Sequence, residues 1–269
     1  MKFKHLLKAL APVAALALAG SLSACHGHVS INGEDGKKLS ELDLSGTAPE
    51  ELVLAGPDEV RVTQGDKLAI TVTGEGADQV RFTLKGGALG IMRENCFKWH
   101  DGDKAAVVNV TMPAPKELTL AGSGKISTPA LAKDAKVTVA GSGSVEAAAV
   151  AGDTLELTIA GSGEFRAAGS VQTFDLKVMG SGSSHTDGLM AGTAKVTIAG
   201  SGDAAFASDG QVDAKIMGSG EVRVRGRATC KVSSMGSGKL VCEPGDGGSA
   251  AATPPTSPAA PAAPAAPAT

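Results

Sequence analysis

The chain has no tyrosine and a single tryptophan, and aromatic residues fill only 3% of its 269 positions. Proteins that hold nucleic acid rely on basic patches and aromatic stacking platforms. A formal net charge of −3 with so few aromatics offers neither, so no nucleic-acid partner is expected. The apolar run Ala9–Ala19 stops short of the about 20 residues that a membrane-crossing helix needs. Glycine at every third position is absent, which removes collagen. Leu, Val and Ile recur along the chain, so disorder throughout is also excluded. What is abundant is glycine: 36 residues, about twice the usual share.

Both ends read as something other than fold. Lys2, Lys4 and Lys8 followed by the apolar run form the pattern of an export signal over residues 1–24. Its loss takes the formal charge from −3 to −6, since those three lysines go with it. Leu22-Ser23-Ala24-Cys25 resembles a bacterial lipobox, in which the cysteine is acylated and becomes the mature N-terminus. The competing reading is an ordinary cleaved signal with a chance cysteine. Acyl chains on Cys25 would bind a membrane leaflet, each buried CH₂ contributing about 0.8 kcal/mol. Position 26 is His rather than Asp, which in lipoproteins of the Gram-negative type points to the outer membrane. Residues 25–47 read as a tether. At the other end, residues 244–269 are Gly, Ala, Ser, Thr and Pro apart from Asp246, with Pro258, Pro261, Pro264 and Pro267 spaced by three. Such a segment has little to bury and is expected to be an extended, disordered tail.

Between the ends lies a repeat. Ala/Met-Gly-Ser-Gly occurs seven times, its first glycine at Gly122, Gly141, Gly161, Gly180, Gly200, Gly218 and Gly236, at spacings of 18 to 20 residues. Two residues before it stand Leu120, Val139, Ile159, Val178, Ile198, Ile216 and Ser234; four before it stand Leu118, Val137, Leu157, Leu176, Val196, Ala214 and Val232. The intervening positions are polar, with Thr119, Thr138, Thr158 and Thr197 recurring three before the glycine. This is the period-two pattern of a strand with one buried face. After the corner, Ile126, Val145, Phe165, Val222 and Leu240 repeat the pattern, with Arg166 and Arg223 outward. A fixed period of about 19 residues with a strand, a glycine corner and a second strand predicts one turn of a parallel β-helix. The corner glycines are then expected at positive φ. Five before the glycine, Glu117, Lys136, Glu156, Asp175, Lys195, Asp213 and Lys231 would be neighbours one turn apart, and five of the six adjacent pairs are of opposite sign.

Residues 48–115 are β-rich but irregular, and are expected to cap the apolar end of the seven repeats in 116–243. Leu52-Val53-Leu54-Ala55-Gly56-Pro57-Asp58-Glu59-Val60 reads as a degenerate first copy, with Pro-Asp in place of Ser-Gly. That segment, together with Val62-Thr63-Gln64-Gly65-Asp66, Gly86-Gly87-Ala88-Leu89-Gly90-Ile91, Val110-Thr111-Met112-Pro113 and the serial Ala-Gly-Ser-Gly, resembles the GIN-type head domain of autotransporter adhesins over about residues 44–242. The resemblance implies a right-handed β-helix that is exported and often lipid-anchored. It supplies no catalytic residues.

Several motifs invite sharper readings. Gly122-Ser123-Gly124-Lys125 and Gly236-Ser237-Gly238-Lys239 lack the upstream glycine and the following Ser/Thr of a phosphate loop. The corner serines repeat seven times, where a nucleophile would be singular, and no recurrent His accompanies them. His26 and His28 sit on the tether, and His100, Asp101 and Asp103 in a loop, neither set with the partners a metal site requires. Met92, Phe97 and Trp99 read as a core cap before a sugar platform. The Thr columns adjoin a charged column, unlike the bare face of ice-binding solenoids. No catalytic residue, metal site or cofactor is therefore assigned.

With Cys25 acylated, Cys96, Cys230 and Cys242 remain for an oxidising compartment. Cys230 and Cys242 lie six before and six after Gly236, both in inward columns of the last turn, and are expected to pair. Two buried thiols, or a bond to Cys96, are the alternatives. The function expected is a non-enzymatic, lipid-anchored envelope protein presenting a β-helix for structural or adhesive contact with glycans or proteins of the envelope or surface. The alternative is a carbohydrate-active β-helix enzyme, a lyase or hydrolase of surface polysaccharide. The sequence assigns no oligomeric state.

Overall fold

The computed structural model describes residues 30–31, 33–94 and 105–243. The signal segment, Cys25, His26, His28, the stretch carrying Cys96, Phe97, Trp99, His100, Asp101 and Asp103, and the tail lie outside the described residues. Alternation of aliphatic and polar residues makes strands whose one face must be buried, and the repeat stacks those faces over one another. The result is a β-solenoid of about seven turns with roughly 19 residues per turn.

The first wall is a parallel ladder running from Glu117–Gly122 through Asp134–Gly141 to Thr229–Gly236. All seven corner glycines are paired in register along it, Gly122 with Gly141, then Gly161, Gly180, Gly200, Gly218 and Gly236. The second wall begins three residues past each corner, with Lys125, Ser144, Glu164, Ser183, Asp203, Glu221 and Lys239 in one column. In the middle of the solenoid the strands Ser144–Gly161, Glu164–Gly180 and Ser183–Gly200 run on around a third side. There the register shifts, between Ala147 and Val150, between Arg166 and Ala168, and between Thr186 and Met190. The one- and two-residue differences in turn length are taken up on this side alone, which leaves the first two walls in phase.

Inside, the predicted columns form a continuous lumen. Leu120, Val139, Ile159, Val178, Ile198 and Ile216 are fully buried, as are Leu118, Val137, Leu157, Leu176 and Val196. Burying each such side chain contributes about 1.5–3 kcal/mol before chain entropy is counted. Phe174 and Phe206 meet edge-on with ring centroids 5.4 Å apart, a geometry that adds about 0.5–1.5 kcal/mol. Polar side chains also enter the lumen, Thr128, Ser184, Thr186 and Ser208 among them. Ser184 and Thr186 are buried, and Thr186 donates to the carbonyl of Ala205 at 2.8 Å, so its hydroxyl is satisfied.

The two ends differ. Glu51–Ala55 and Glu59–Gln64 form a turn stacked in parallel on the first repeat, with Gly56 at its corner. Beyond it lie Ala88–Arg93 and Val107–Met112, although they come later in the chain. The turn at 51–64 is thus inserted between two turns that follow it in sequence. Antiparallel strands Val80–Lys85 and Ala69–Thr73 close this end, and Met92 packs with Ile31, Val53 and Ala55. At the far end, Thr229–Gly236 and Lys239–Glu243 pair on one side only among the described residues. Val232, in an inward column, is exposed there, whereas its equivalents in the preceding turns are buried.

Candidate functional site

Each of the seven repeat corners turns on a glycine with φ between +117° and +133°. A Cβ at Gly161 would stand 2.5 Å from the carbonyl oxygen of Gly141, and one on the second glycine of the next-but-one corner, Gly202, 2.5 Å from that of Gly182. Both glycines of the motif are needed, the first for its conformation and both for close approach. The serine between them, as at Ser123, Ser162 and Ser201, projects to solvent. Its backbone N–H is used inside the stack, Ser162 donating to Gly141 at 2.9 Å and Ser181 to Gly161 at 2.9 Å. The corners form a shallow open groove lined by Ser123, Ser142, Ser162, Lys125 and Glu164. Because the amides are already paired along the stack, the groove cannot accept an added β-strand through these groups.

On the second wall, a notch lies where Ala205 stands in the outward column between His185 and Arg223. Asp203, Glu221 and Asp187 border it, and Asp187 is paired with Arg225. Among the described residues no group of three or more His, Cys, Asp or Glu side chains is placed to hold a metal ion.

The charged column of the first wall stacks as its sequence implies, Glu117 beside Lys136, Asp175 beside Lys195, and Asp213 beside Lys231. Within it the closed ion pair is Lys136–Glu117 at 2.6 Å. Lys177 instead reaches within its own turn to Asp175 at 3.6 Å. The column continues one turn further to Glu51, which sits beside Glu117. Partial burial, then the neighbouring Glu117 carboxylate, push the Glu51 carboxyl above its ordinary pKa, with Lys136 opposing them.

A buried ion pair escaped sequence reading. Asp58, the residue replacing a corner glycine, is wholly buried and accepts from Arg93 Nε at 2.8 Å and from the Ala106 N–H at 2.7 Å. Arg93 Nη1 also donates to Gln79 at 3.0 Å. The pair joins the first corner to the capping strands. A charged residue interrupting Gly-Ser-Gly was its only sequence signal. Cys230 and Cys242 are bonded across the last turn with Cα atoms 6.7 Å apart, while Cys25 and Cys96 lie outside the described residues.

These walls, corners and columns define a parallel β-solenoid that offers flat repeated faces and shallow grooves. The chain belongs to the family described as "Putative auto-transporter adhesin, head GIN domain", whose model matches residues 48–228. Solved structures share the fold. A "putative adhesin" of Bacteroides fragilis is 19% identical with a TM-score of 0.68, the match covering 72% of this chain and 92% of that one. A "putative lipid binding protein" of Parabacteroides distasonis is 24% identical over 73% of this chain and 93% of that one, with a TM-score of 0.57. A "putative adhesin" of Parabacteroides merdae is 18% identical over 72% and 92%, with a TM-score of 0.54. No curated protein matches the sequence.

Proposed function

We propose that the chain is a lipid-anchored envelope protein, held through Cys25, whose solenoid presents its walls for structural or adhesive contact and turns over no substrate. One observation carries the reading: successive corners are 18 to 20 residues apart. At that spacing each of the seven repeats is consumed by its own strands, and between Gly122 and Gly236 no loop rises between turns to build a cleft around a substrate. The outward columns therefore repeat from turn to turn, which suits extended contact and does not single out a reacting group. Membership of an adhesin-head family supports the same reading.

Two measurements test it. Cys25→Ser should release the chain from membrane fractions or leave it unprocessed, and unchanged fractionation and mass would reject the anchor. Binding to envelope and host glycans and proteins should be set beside a polysaccharide turnover assay. Saturable binding without turnover is expected. Turnover abolished by changing one acidic residue, such as Asp203 or Glu221 beside the notch, would replace this reading with the carbohydrate-active one.

A further inference from the structure

Among the described residues the exposed large apolar side chains are Met179, Met190, Met217, Val232 and Met235, all in the last four turns. Three share one outward column of the first wall. The residue before the corner glycine is Ala121, Ala140 and Ala160 in the first three repeats, then Met179, Ala199, Met217 and Met235. The methionines are 37%, 49% and 73% exposed. Two residues earlier the wall carries Thr119, Thr138 and Thr158, then Lys177, Thr197, Lys215 and Ser233. The exchanges go together: Lys177 accompanies Met179 and Lys215 accompanies Met217, while every alanine is accompanied by threonine.

The stack itself does not require this, because Thr-x-Ala fills the same positions in four other turns. The adjoining column adds Lys195 and Lys231, both exposed, whereas its acids Asp175 and Asp213 are half-buried. Among the described residues, apart from the reach of Lys177 to Asp175, these lysines close no ion pair. These two columns thus change along the wall from small and neutral to apolar and basic.

We propose that this face of the last four turns docks on a bilayer surface carrying anionic phospholipid headgroups. Exposed lysines at alternate turns of two neighbouring columns attract phosphates, and flexible thioether side chains fit an irregular apolar boundary. The face is flat, and both grooves described above lie off it, at the corners and on the second wall. A flat basic face suits a partner whose charged groups can move sideways to meet each ammonium. A second copy of the chain is disfavoured, since apposing two such faces sets lysine against lysine. The docking would add a second, charge-dependent attachment to any acyl anchor, the combination that makes membrane binding stable.

The test compares the full chain with the full chain carrying Lys177→Thr, Met179→Ala, Lys215→Thr and Met217→Ala. These replacements install the Thr-x-Ala pair that neighbouring turns already bear, so the melting temperature should hold. Should it fall, Lys177→Thr with Lys215→Thr alone gives the reading. Flotation uses vesicles of phosphatidylcholine, with and without phosphatidylglycerol. Anything the N-terminal segment contributes is common to both chains and cancels in the comparison. The expected result is a preference of the wild type for phosphatidylglycerol that weakens with salt, and a loss of about tenfold or more in the variant on those vesicles only. Equal binding of the two chains, or no headgroup preference, overturns the proposal. Binding of poly-glutamate by the wild type and not the variant, with the vesicles ignored, would assign the face to an acidic protein instead.

Discussion

Replacing Gly200 by alanine adds one carbon at the place where two turns come closest. Gly200 has φ +133°, and a Cβ there would lie 2.2 Å from the carbonyl oxygen of Gly180 and 3.0 Å from its carbon. That oxygen accepts from the Ser201 N–H at 2.9 Å, and the two glycines are partners in the ladder. Neither turn can retreat without opening a bond. Two costs add: about 1–3 kcal/mol for an L-residue in a glycine-only conformation, and about 0.5–1.5 kcal/mol for a ladder bond stretched or lost. A loss of about 2–4 kcal/mol is expected. Because a solenoid turn touches only its neighbours, the damage should stay local. Amide hydrogen exchange reads this directly, with faster exchange along Ser183–Gly200 and its two neighbours and little change around Glu117–Gly122. Ser201→Ala, at an exposed side chain on the same corner, is the control and should stay within about 0.5 kcal/mol. A Gly200→Ala protein with wild-type exchange and melting temperature would refute the corner argument.

Asp58→Ala should cost about 3–5 kcal/mol, since it takes a buried counterion from Arg93; denaturant unfolding with no measurable loss would contradict that role. Glu51 binds its proton more tightly folded than unfolded, so the folded chain loses stability as pH rises through the window above the ordinary glutamate pKa. Glu51→Gln should therefore be the more stable chain at neutral pH, by less than about 1 kcal/mol, with the advantage gone below about pH 4; melting curves that keep a constant offset across that range would reject the assignment. Non-reducing peptide mapping should recover Cys230 crosslinked to Cys242, with reduction loosening the last turn by about 3 kcal/mol on a loop-entropy argument. A crosslink to Cys96 would exclude the pairing.

The repeat was legible because one geometric demand recurs at one spacing. In the seven repeats the tight, closely stacked corner calls for a glycine on each side of its serine, and stacking forces the residues before it into columns that can be read by alignment. The third side could not be read this way. Its register shifts between Ala147 and Val150 and between Thr186 and Met190, so residues there fall out of any fixed frame. The order of turns at the capped end was hidden for a different reason. Glu51–Ala55 pairs with both Ala88–Arg93 and Glu117–Gly122, and alternation reports which face is buried but not which strand lies alongside. Charge columns could be aligned, yet alignment fixes only where backbones stack. Lys177 turns toward Asp175 two residues away in its own turn, at 3.6 Å, a choice made by side-chain reach. The basic, methionine-bearing face lay in plain view in the columns, but its meaning depends on exposure, which a column of letters does not give.

The shifting third side works as an expansion joint. Turns of different length meet there without disturbing the pairing of Gly161, Gly180, Gly200 and Gly218 on the first wall. A residue gained or lost on this side leaves every corner where it was, whereas the same change between Val196 and Gly200 would turn buried residues outward and push the glycine off its partner. The number of turns is likewise free, because a duplicated unit brings both of its own interfaces. Length along the axis can therefore drift over generations while cross-section and surface columns stay fixed, and the reach of the molecule can be adjusted one turn at a time.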